Sequence, residues 1–383
     1  MTAGTPDVAV VGAGSFGAWT ALRLREKGHR VVLLDQYGPG NARSSSGGES
    51  RIIRMGYGSD ELYTRFALSS LAAWKRLGEE TREPLFHETG VLWLARTGDR
   101  YALDTLATLA RLGVPHERLP AADLRRRYPQ FALDGDVWGM IEPASGALMA
   151  RRAVQAVVRE AARAGVGYRT VAVARPAVRG RLDALSASDG SGIRAGTFVF
   201  AGGAWLPKLF PERLGARIFP TRQEVFFFGA PAGDERFAPP WMPTWIDFGA
   251  EIYGLPDLER RGFKVAPDRH GAPIDPDTDE RLVPADSVAR FRAFLGRRFP
   301  ALAAAPLLET RVCQYENTSS GDFLIDRHPD SDNVWLVGGG SGHGFKHGPA
   351  VGEYVADRLA GGGPEEPRFS IARKDTVQQR AVY

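Results

Sequence analysis

The sequence contains a single cysteine, Cys313, among its 383 residues. One cysteine excludes an internal disulfide bond and any zinc site built from several cysteines, and we predict no metal site. No run of 18 apolar residues occurs, so we predict neither a transmembrane helix nor a membrane partner. The N-terminus also lacks the basic region of a secretory signal peptide. These absences favour a cytoplasmic protein.

Basic runs interleaved with aromatic side chains are missing as well. Lysine and arginine number 49 against 45 acidic residues, which gives a formal charge of +4, and the arginines are scattered among the acids. We therefore predict no nucleic-acid partner. The mild positive charge favours an anionic substrate only weakly. The length exceeds that of one compact core and predicts two joined domains.

The first forty residues predict a strand, a helix and a second strand. Apolar runs at 7–11 and 30–34 flank a helical pattern at 15–27. Further helical patterns and apolar strands follow downstream, and aromatic residues are dense between 220 and 263. Such density is typical either of a sheet that walls a pocket or of a core. The predicted helices lie at 62–77, 151–164, 287–298 and 348–359, and the strands at 167–173, 193–200 and 334–337.

A GxGxxG motif stands between the first strand and the first helix. Gly12 allows a tight turn, Gly14 lets the backbone approach a pyrophosphate, and Gly17 lets helix and strand pack closely. Asp35 ends the second strand, where it can accept a hydrogen bond from a ribose hydroxyl and disfavours a 2′-phosphate. The motif fits the adenosine diphosphate of FAD and of NAD, and its N-terminal position favours FAD.

Three further segments carry a resemblance to a known family. Residues 49–54 read ESRIIR, 313–315 read CQY and 342–346 read GHGFK. With GxGxxG in the same order, they resemble the monomeric sarcosine oxidase and N-methyltryptophan oxidase family of D-amino-acid-oxidase-like FAD-dependent oxidoreductases. The resemblance covers roughly residues 8–359. It implies a monomeric flavoenzyme that oxidises a small secondary amine or amino acid to an imine and reduces O2 to H2O2.

With this resemblance we predict an α/β (α+β) fold in which two discontinuous domains are interleaved. A Rossmann-like FAD-binding domain takes 1–80, 145–215 and 320–375. A substrate domain on a large mixed β-sheet takes 81–144 and 216–319.

The resemblance also implies roles for basic and aromatic residues. Arg54 and Lys346 match a pair that binds the substrate carboxylate, which suits the bidentate geometry of an arginine. Arg51 and Lys264 match basic residues that flank the flavin, and Lys264 would promote the reaction with oxygen. His343 would lie near the flavin. The remaining residues assigned to the substrate cavity are Tyr315, Tyr253 and Asp268.

Cys313 matches the cysteine whose sulfur carries the covalently bound FAD. A buried, inert thiol is the alternative interpretation. The full set of residues that we assign to FAD is Gly12, Gly14, Ser15, Phe16, Gly17, Asp35, Gln36, Ser45, Arg51, Ile52, Val171, Ala201, Gly202, Trp205, Cys313, Gly342, His343, Gly344, Phe345 and Lys346.

Two positions depart from the family pattern. Gly47 stands where the family has a histidine, four residues before the first arginine of RIIR, and this bears on flavin attachment. Asp268 stands where the family has an active-site histidine, and His270 follows two residues later. Because the second change alters the charge of the cavity, we expect a substrate bulkier than sarcosine or differently charged.

Other functions fit parts of the same pattern. An FAD dehydrogenase could pass its electrons to a quinone or a partner protein, although Lys264 favours oxygen as the acceptor. A tailoring oxidase of specialised metabolism, a non-catalytic sensor that retains the nucleotide site and an NAD-linked dehydrogenase are the further alternatives.

Overall fold

The computed structural model describes residues 5–379, so the first four residues of the predicted FAD-binding domain lie outside it, as do 380–383. The described strands are, in chain order, β1 (Val8–Val11), β2 (Val31–Asp35), β3 (Arg51–Ile53), β4 (Phe86–His87), β5 (Val91–Ala95), β6 (Glu117–Leu119), β7 (Trp138–Glu142), β8 (Gly146–Leu148), β9 (Gly167–Thr170), β10 (Ala184–Ser186), β11 (Gly192–Arg194), β12 (Thr197–Phe200), β13 (Phe219–Phe228), β14 (Thr244–Asp247), β15 (Ile252–Leu255), β16 (Phe263–Pro267), β17 (Leu307–Asn317), β18 (Leu324–Arg327) and β19 (Val334–Gly338). The described α-helices are α1 (Ser15–Glu26), α2 (Glu61–Thr81), α3 (Arg100–Arg111), α4 (Ala121–Arg127), α5 (Ala150–Arg163), α6 (Leu206–Leu209), α7 (Pro211–Leu214), α8 (Ala285–Arg298) and α9 (Gly348–Leu359).

A six-stranded sheet contains the first two strands and has the order β18-β19-β12-β1-β2-β9. Its pairs are parallel except at the edge, where β18 runs antiparallel to β19. Every residue of β1 is buried. Val8 and Val10 pack in the core that contains residues of α1, α5 and α9, whereas Ala9 and Val11 pack with Phe198 on the other face. Because both faces are covered, a continuous apolar run is needed here.

An eight-stranded mixed sheet has the order β17-β13-β16-β15-β14-β5-β7-β6. Most of its pairs are antiparallel, and β14 runs parallel to β5. One face packs against α8, and Phe226, Phe228 and Trp245 lie in this core with Phe291 and Phe294. The aromatic residues between 220 and 263 therefore mainly form a core, which is the second of the two interpretations of this segment, the first being the wall of a pocket. Two small sheets have the orders β3-β8-β4 and β10-β11.

Some elements differ from the sequence predictions. The expected strand at 193–200 is two strands, β11 and β12, separated by two residues. Gly196 lies in this break, where a Cβ would be 2.9 Å from the carbonyl oxygen of Asp7. The expected strand at 167–173 ends at Thr170. Within the part of the chain that the structure describes, no helix is both long and apolar enough to cross a membrane.

Candidate active site

The glycine motif forms a tight turn that leads into α1. Gly12 has φ +106°, and a Cβ there would overlap the carbonyl oxygen of Ala201. A Cβ on Gly17 would overlap the carbonyl oxygen of Gly12. Gly14 differs, because a Cβ there would meet Ser46 Oγ at an ordinary 3.5 Å. Two of the glycines are therefore required by packing, whereas a Cβ at Gly14 would be accommodated where the backbone borders a cleft.

Asp35 closes this turn from the neighbouring strand. One carboxylate oxygen accepts the Ala13 amide at 2.8 Å, and the other accepts the amides of Tyr37 and Gly38 at 2.9 and 2.8 Å. Burial raises the pKa of Asp35, and the amide hydrogen bonds oppose that rise. The carboxylate thus fixes the turn and also borders the cleft.

A cleft with about 1240 Å³ of empty space, which we call the long cleft, runs from this turn to β17. It is bordered by sixteen of the residues that the sequence assigned to FAD. Gly17 instead packs inside the turn, and Ile52, His343 and Lys346 border a neighbouring cavity. The sixteen are Gly12, Gly14, Ser15, Phe16, Asp35, Gln36, Ser45, Arg51, Val171, Ala201, Gly202, Trp205, Cys313, Gly342, Gly344 and Phe345.

The neighbouring cavity, which we call the basic cavity, has about 620 Å³ of empty space. It brings together seven of the eight predicted catalytic residues. It shares Arg51, Tyr315, Gly342 and Phe345 with the long cleft. The seven are Arg51, Arg54, Tyr253, Asp268, Tyr315, His343 and Lys346.

Lys264 lines a third space of about 320 Å³, which we call the lysine cavity, together with Arg51 and Cys313. The lysine is 2% exposed on β16, and its Nζ donates to the Ser50 carbonyl at 2.8 Å. Burial lowers its pKa well below the ordinary value, and the Arg51 guanidinium adds to that effect.

Arg51 lines all three spaces and holds Cys313 against the loop before β3. Its guanidinium donates to the carbonyls of Ser50 and Ser45 at 2.8 and 2.7 Å, and to Cys313 Sγ at 3.1 Å. The cysteine is half-buried. A partly exposed sulfur beside a fixed cation is the environment in which reactive cysteines occur.

Arg54 is buried in the wall of the basic cavity. Its guanidinium lies 4.4 Å from the ring centre of Tyr57 and 4.7 Å from that of Trp93, and it donates to the Gly56 carbonyl. Aromatic rings on the guanidinium stabilise a desolvated cation. The segment around Arg54 is itself held by Glu142, which accepts the amides of Met55 and Gly56.

Lys346 and His343 come from the segment before α9. Lys346 Nζ donates to the His343 carbonyl at 3.0 Å and lies 5.3 Å from the ring centre of Tyr57. The His343 ring is hydrogen-bonded at Nε2 to the Gly321 carbonyl and at Nδ1 to the Tyr57 hydroxyl. The same hydroxyl lies 2.7 Å from Nε2 of His347, whose pKa burial lowers well below its ordinary value.

Two half-buried tyrosines, Tyr253 and Tyr315, line the same cavity. Burial raises the pKa of Tyr253 to about 12 and that of Tyr315 well above its ordinary value. Both hydroxyls therefore keep their protons near neutral pH and can donate hydrogen bonds. The Asp268 carboxylate is close enough to Arg54 and to both tyrosines to affect their pKa values.

Sequence reasoning missed four buried residues around these spaces. Tyr57 stands three residues after RIIR, so the motif's position was a usable signal. His347 directly follows the GHGFK segment and could have been noticed in the same way. Glu316 directly follows the CQY segment and carried the same signal, whereas Glu142 adjoins neither the glycine motif nor any segment that carries the resemblance.

The long cleft fits a dinucleotide flavin on structural grounds. Its turn leaves room at Gly14, and α1 begins directly after that residue. A buried carboxyl oxygen, Oε2 of Glu316, borders the same cleft without a hydrogen-bond partner among the described residues. Most buried polar atoms in native proteins have a hydrogen-bond partner. An unpartnered one therefore indicates that the atom binds a ligand or carries a proton.

The FAD dependent oxidoreductase family matches residues 7–358. A monomeric sarcosine oxidase from Bacillus sp. (strain NS-129) is 33% identical over 390 residues, which cover 98% of each chain. An N-methyl-L-tryptophan oxidase from Salmonella heidelberg (strain SL476) is 27% identical, with 95% of this chain and 96% of that one covered. The solved L-proline dehydrogenase from P. horikoshii shares the fold, with a TM-score of 0.81 at 21% identity over 96% of this chain and 97% of that one.

Proposed function

Because the chain belongs to the FAD dependent oxidoreductase family, we propose that it oxidises a small secondary amine or amino acid and uses O2 as the electron acceptor. The observation that carries this proposal is the pair of buried cations, Arg54 and Lys346, in a cavity that adjoins the long cleft. The similarity to a sarcosine oxidase and an N-methyl-L-tryptophan oxidase over nearly the whole chain supports it.

The residues that border the long cleft would hold FAD, with the turn at Gly12, Gly14 and Asp35 taking the adenosine diphosphate portion. Bound FAD supplies the two-electron oxidation of the carbon–nitrogen bond. The protein's part is to bind the amine, orient it and exclude water.

The basic cavity would bind the substrate. Arg54 and Lys346 would bind a carboxylate, and their burial makes the charge-assisted hydrogen bonds stronger than they would be at the surface. The phenols of Tyr253 and Tyr315 can donate to the same group or limit its position. Asp268 would accept a hydrogen bond from an N–H of the substrate. We therefore propose a substrate that carries both a carboxylate and a basic nitrogen.

Oxygen activation is assigned to Lys264, which lies in the lysine cavity behind Arg51. A fixed ammonium there would stabilise negative charge as oxygen is reduced. This assignment favours an oxidase over a dehydrogenase that serves a quinone or a protein acceptor. Hydrogen peroxide formed in proportion to the amine consumed is the expected result, and oxidation that proceeds only with an artificial acceptor would exclude the oxidase.

Cys313 is proposed to carry FAD through a thioether. The Arg51 guanidinium at 3.1 Å from Sγ and the position of the cysteine at the border of two cavities support this. Acid precipitation of the purified protein tests it, because covalent flavin leaves the pellet yellow. In the Cys313→Ser variant the colour should move to the supernatant. A colourless protein that takes up no added FAD would end the whole proposal.

The role of Arg54 can be tested with the Arg54→Lys variant, which keeps the charge but loses the planar fork. Losing one charge-assisted hydrogen bond costs about 1.5–3 kcal/mol, or about 10- to 150-fold in kcat/KM for a carboxylate-bearing secondary amine. Arg65→Lys on the exposed side of α2 is the matched control and should leave kcat/KM unchanged. Equal activity of the two variants would remove Arg54 from the binding site.

The division into two discontinuous domains, the monomeric state and the cytoplasmic location stay predictions from the sequence. Gel filtration tests the monomeric state directly.

A further inference from the structure

Glu316 is a buried acid that the proposed reaction does not use. It lies on β17 immediately after Tyr315, it is 8% exposed, and its side chain borders the long cleft. Oε1 accepts the Gly340 amide at 3.2 Å. Oε2 is completely enclosed and has no hydrogen-bond partner among residues 5–379.

The surroundings of this carboxyl are mostly glycine backbone. A Cβ on Gly203 would lie 3.7 Å from Oε2, and one on Gly338 would lie 3.3 Å from both oxygens. Strand β13 places Pro220 opposite Glu316, and the turn at Gly203–Trp205 brings no charged side chain. These neighbours enclose Oε2 and bring no charged side chain to it.

No cation among the described residues offsets the burial of Glu316. Burial raises its pKa to about 7, and the amides of Gly340 and Gly339 oppose the rise only in part. The other titratable side chains that border the long cleft are Asp35, Tyr37, Arg51, Cys313 and Tyr315. None of them is among the causes of this shift.

We propose that Glu316 is a neutral acid in the FAD-bound protein and that its carboxyl proton is donated to an oxygen atom of the dinucleotide. Binding of FAD is then coupled to the uptake of one proton from solvent. FAD carries two negative charges on its pyrophosphate, so an ionised carboxylate in the same cleft would repel it, whereas a protonated carboxyl can donate a hydrogen bond.

The sign of the resulting pH dependence follows from linkage. The free protein holds the proton below pH 7 and loses it above, whereas the bound protein keeps it to higher pH. FAD binding is therefore strongest at low pH and weakens as the pH rises through 7. This inference rests on the proposed function, since it requires that FAD occupies the long cleft.

Reversible binding can be measured in the Cys313→Ser protein, in which no thioether can form. Titration of the full-length apoprotein with FAD, followed by flavin fluorescence, gives Kd from pH 6 to 9. We expect a flat Kd near pH 6 and an increase of about five- to tenfold between pH 7.5 and 8.5. Calorimetry at pH 8 in two buffers of different ionisation enthalpy should show an uptake of nearly one proton. A flat Kd without proton uptake would overturn the inference.

Two glutamine variants in the same background identify the group. Glu316→Gln keeps a donor but cannot ionise, so its Kd should stay constant over this range and its proton uptake should disappear. Glu309→Gln changes the same residue type on the same strand, where the side chain pairs with Arg261 outside the cleft, and it should keep the pH dependence. A pH dependence that persists in Glu316→Gln assigns the proton to another group and refutes the inference.

The measurement on the Cys313→Ser protein alone still decides the coupling if Glu316→Gln does not fold. Failure of the two proposals is also distinguishable. Protein that takes up no FAD at any pH contradicts the proposed function, whereas FAD binding with a flat Kd contradicts only the role of Glu316.

Discussion

Glu142 should contribute more to stability than any single surface charge. Its carboxylate accepts four hydrogen bonds in the core, from the amides of Met55 and Gly56, from Trp93 Nε1 and from Ser145 Oγ. The side chain is 1% exposed, so water cannot replace a lost partner. The change to test is Glu142→Gln, which preserves the shape and replaces one acceptor oxygen with a donor.

The amide can adopt only one favourable orientation. Gly56 and Trp93 can only donate, whereas the Ser145 hydroxyl can turn and accept, so the new NH2 must face Ser145 and Met55. The Met55 amide is then left without an acceptor, which costs about 1–3 kcal/mol. The three remaining hydrogen bonds each weaken by about 1 kcal/mol as the charge is lost, and the lower cost of burying a neutral group offsets part of this. The expected loss in the free energy of unfolding is about 2–4 kcal/mol.

Equilibrium unfolding in guanidinium chloride, monitored by tryptophan fluorescence, measures this loss. The matched control is Glu117→Gln on the neighbouring strand β6, where the carboxylate is exposed and pairs with Arg127. That variant should change stability by less than about 0.5 kcal/mol. If Glu142→Gln falls in the same range as Glu117→Gln, the four contacts do not stabilise the fold as argued.

Three further predictions concern Lys264, the glycine turn and His347. Lys264→Met should leave anaerobic flavin reduction by the amine largely intact and slow reoxidation by O2 at least about tenfold. Lys75→Met, at a lysine that borders none of the three spaces and pairs with Glu88, should change neither rate in stopped-flow absorbance. Gly17→Ala should destabilise the fold, because its Cβ would overlap a backbone carbonyl. Gly14→Ala should keep the wild-type melting temperature of the apoprotein and weaken FAD binding. Equal melting temperatures for the two variants would contradict this prediction. The pKa of His347 is lowered in the folded protein, so the unfolded chain takes up a proton that the folded chain does not, and stability should fall as the pH drops below 6.5. The contribution is about 1.4 kcal/mol per pH unit, and urea unfolding of His347→Gln should lack it.

Features set by neighbouring residues were predictable from the sequence. The unit of β1, α1 and β2 lies within forty residues, and its apolar runs and glycine spacing specify both the elements and the turn. Helix α9 has the bounds that its periodicity predicts, 348–359. The break between β11 and β12 was not predictable, because β11 pairs with β10 in a small sheet whereas β12 pairs with β1 and β19, which lie far away in the chain.

Buried polar contacts between distant residues escaped sequence reasoning for the same reason. The Tyr57 hydroxyl meets His347 across 290 positions, and Glu142 meets the Met55 amide across 87. No periodicity encodes such pairs, since they satisfy donors and acceptors only after the two sheets have packed. The predicted catalytic residues were assigned by resemblance instead, and the structure places seven of them around one cavity.

The position of Arg51 decides which variants can separate the steps of the proposed reaction. Its guanidinium joins the carbonyls of Ser45 and Ser50 to Cys313 and borders the long cleft, the basic cavity and the lysine cavity. A change at Arg51 should therefore disturb the proposed FAD attachment, the proposed substrate binding and the proposed oxygen reaction together. Arg54 borders the basic cavity and Lys264 the lysine cavity. If the proposed roles hold, Arg54→Lys affects amine oxidation and Lys264→Met affects flavin reoxidation, so the two half-reactions respond to different variants.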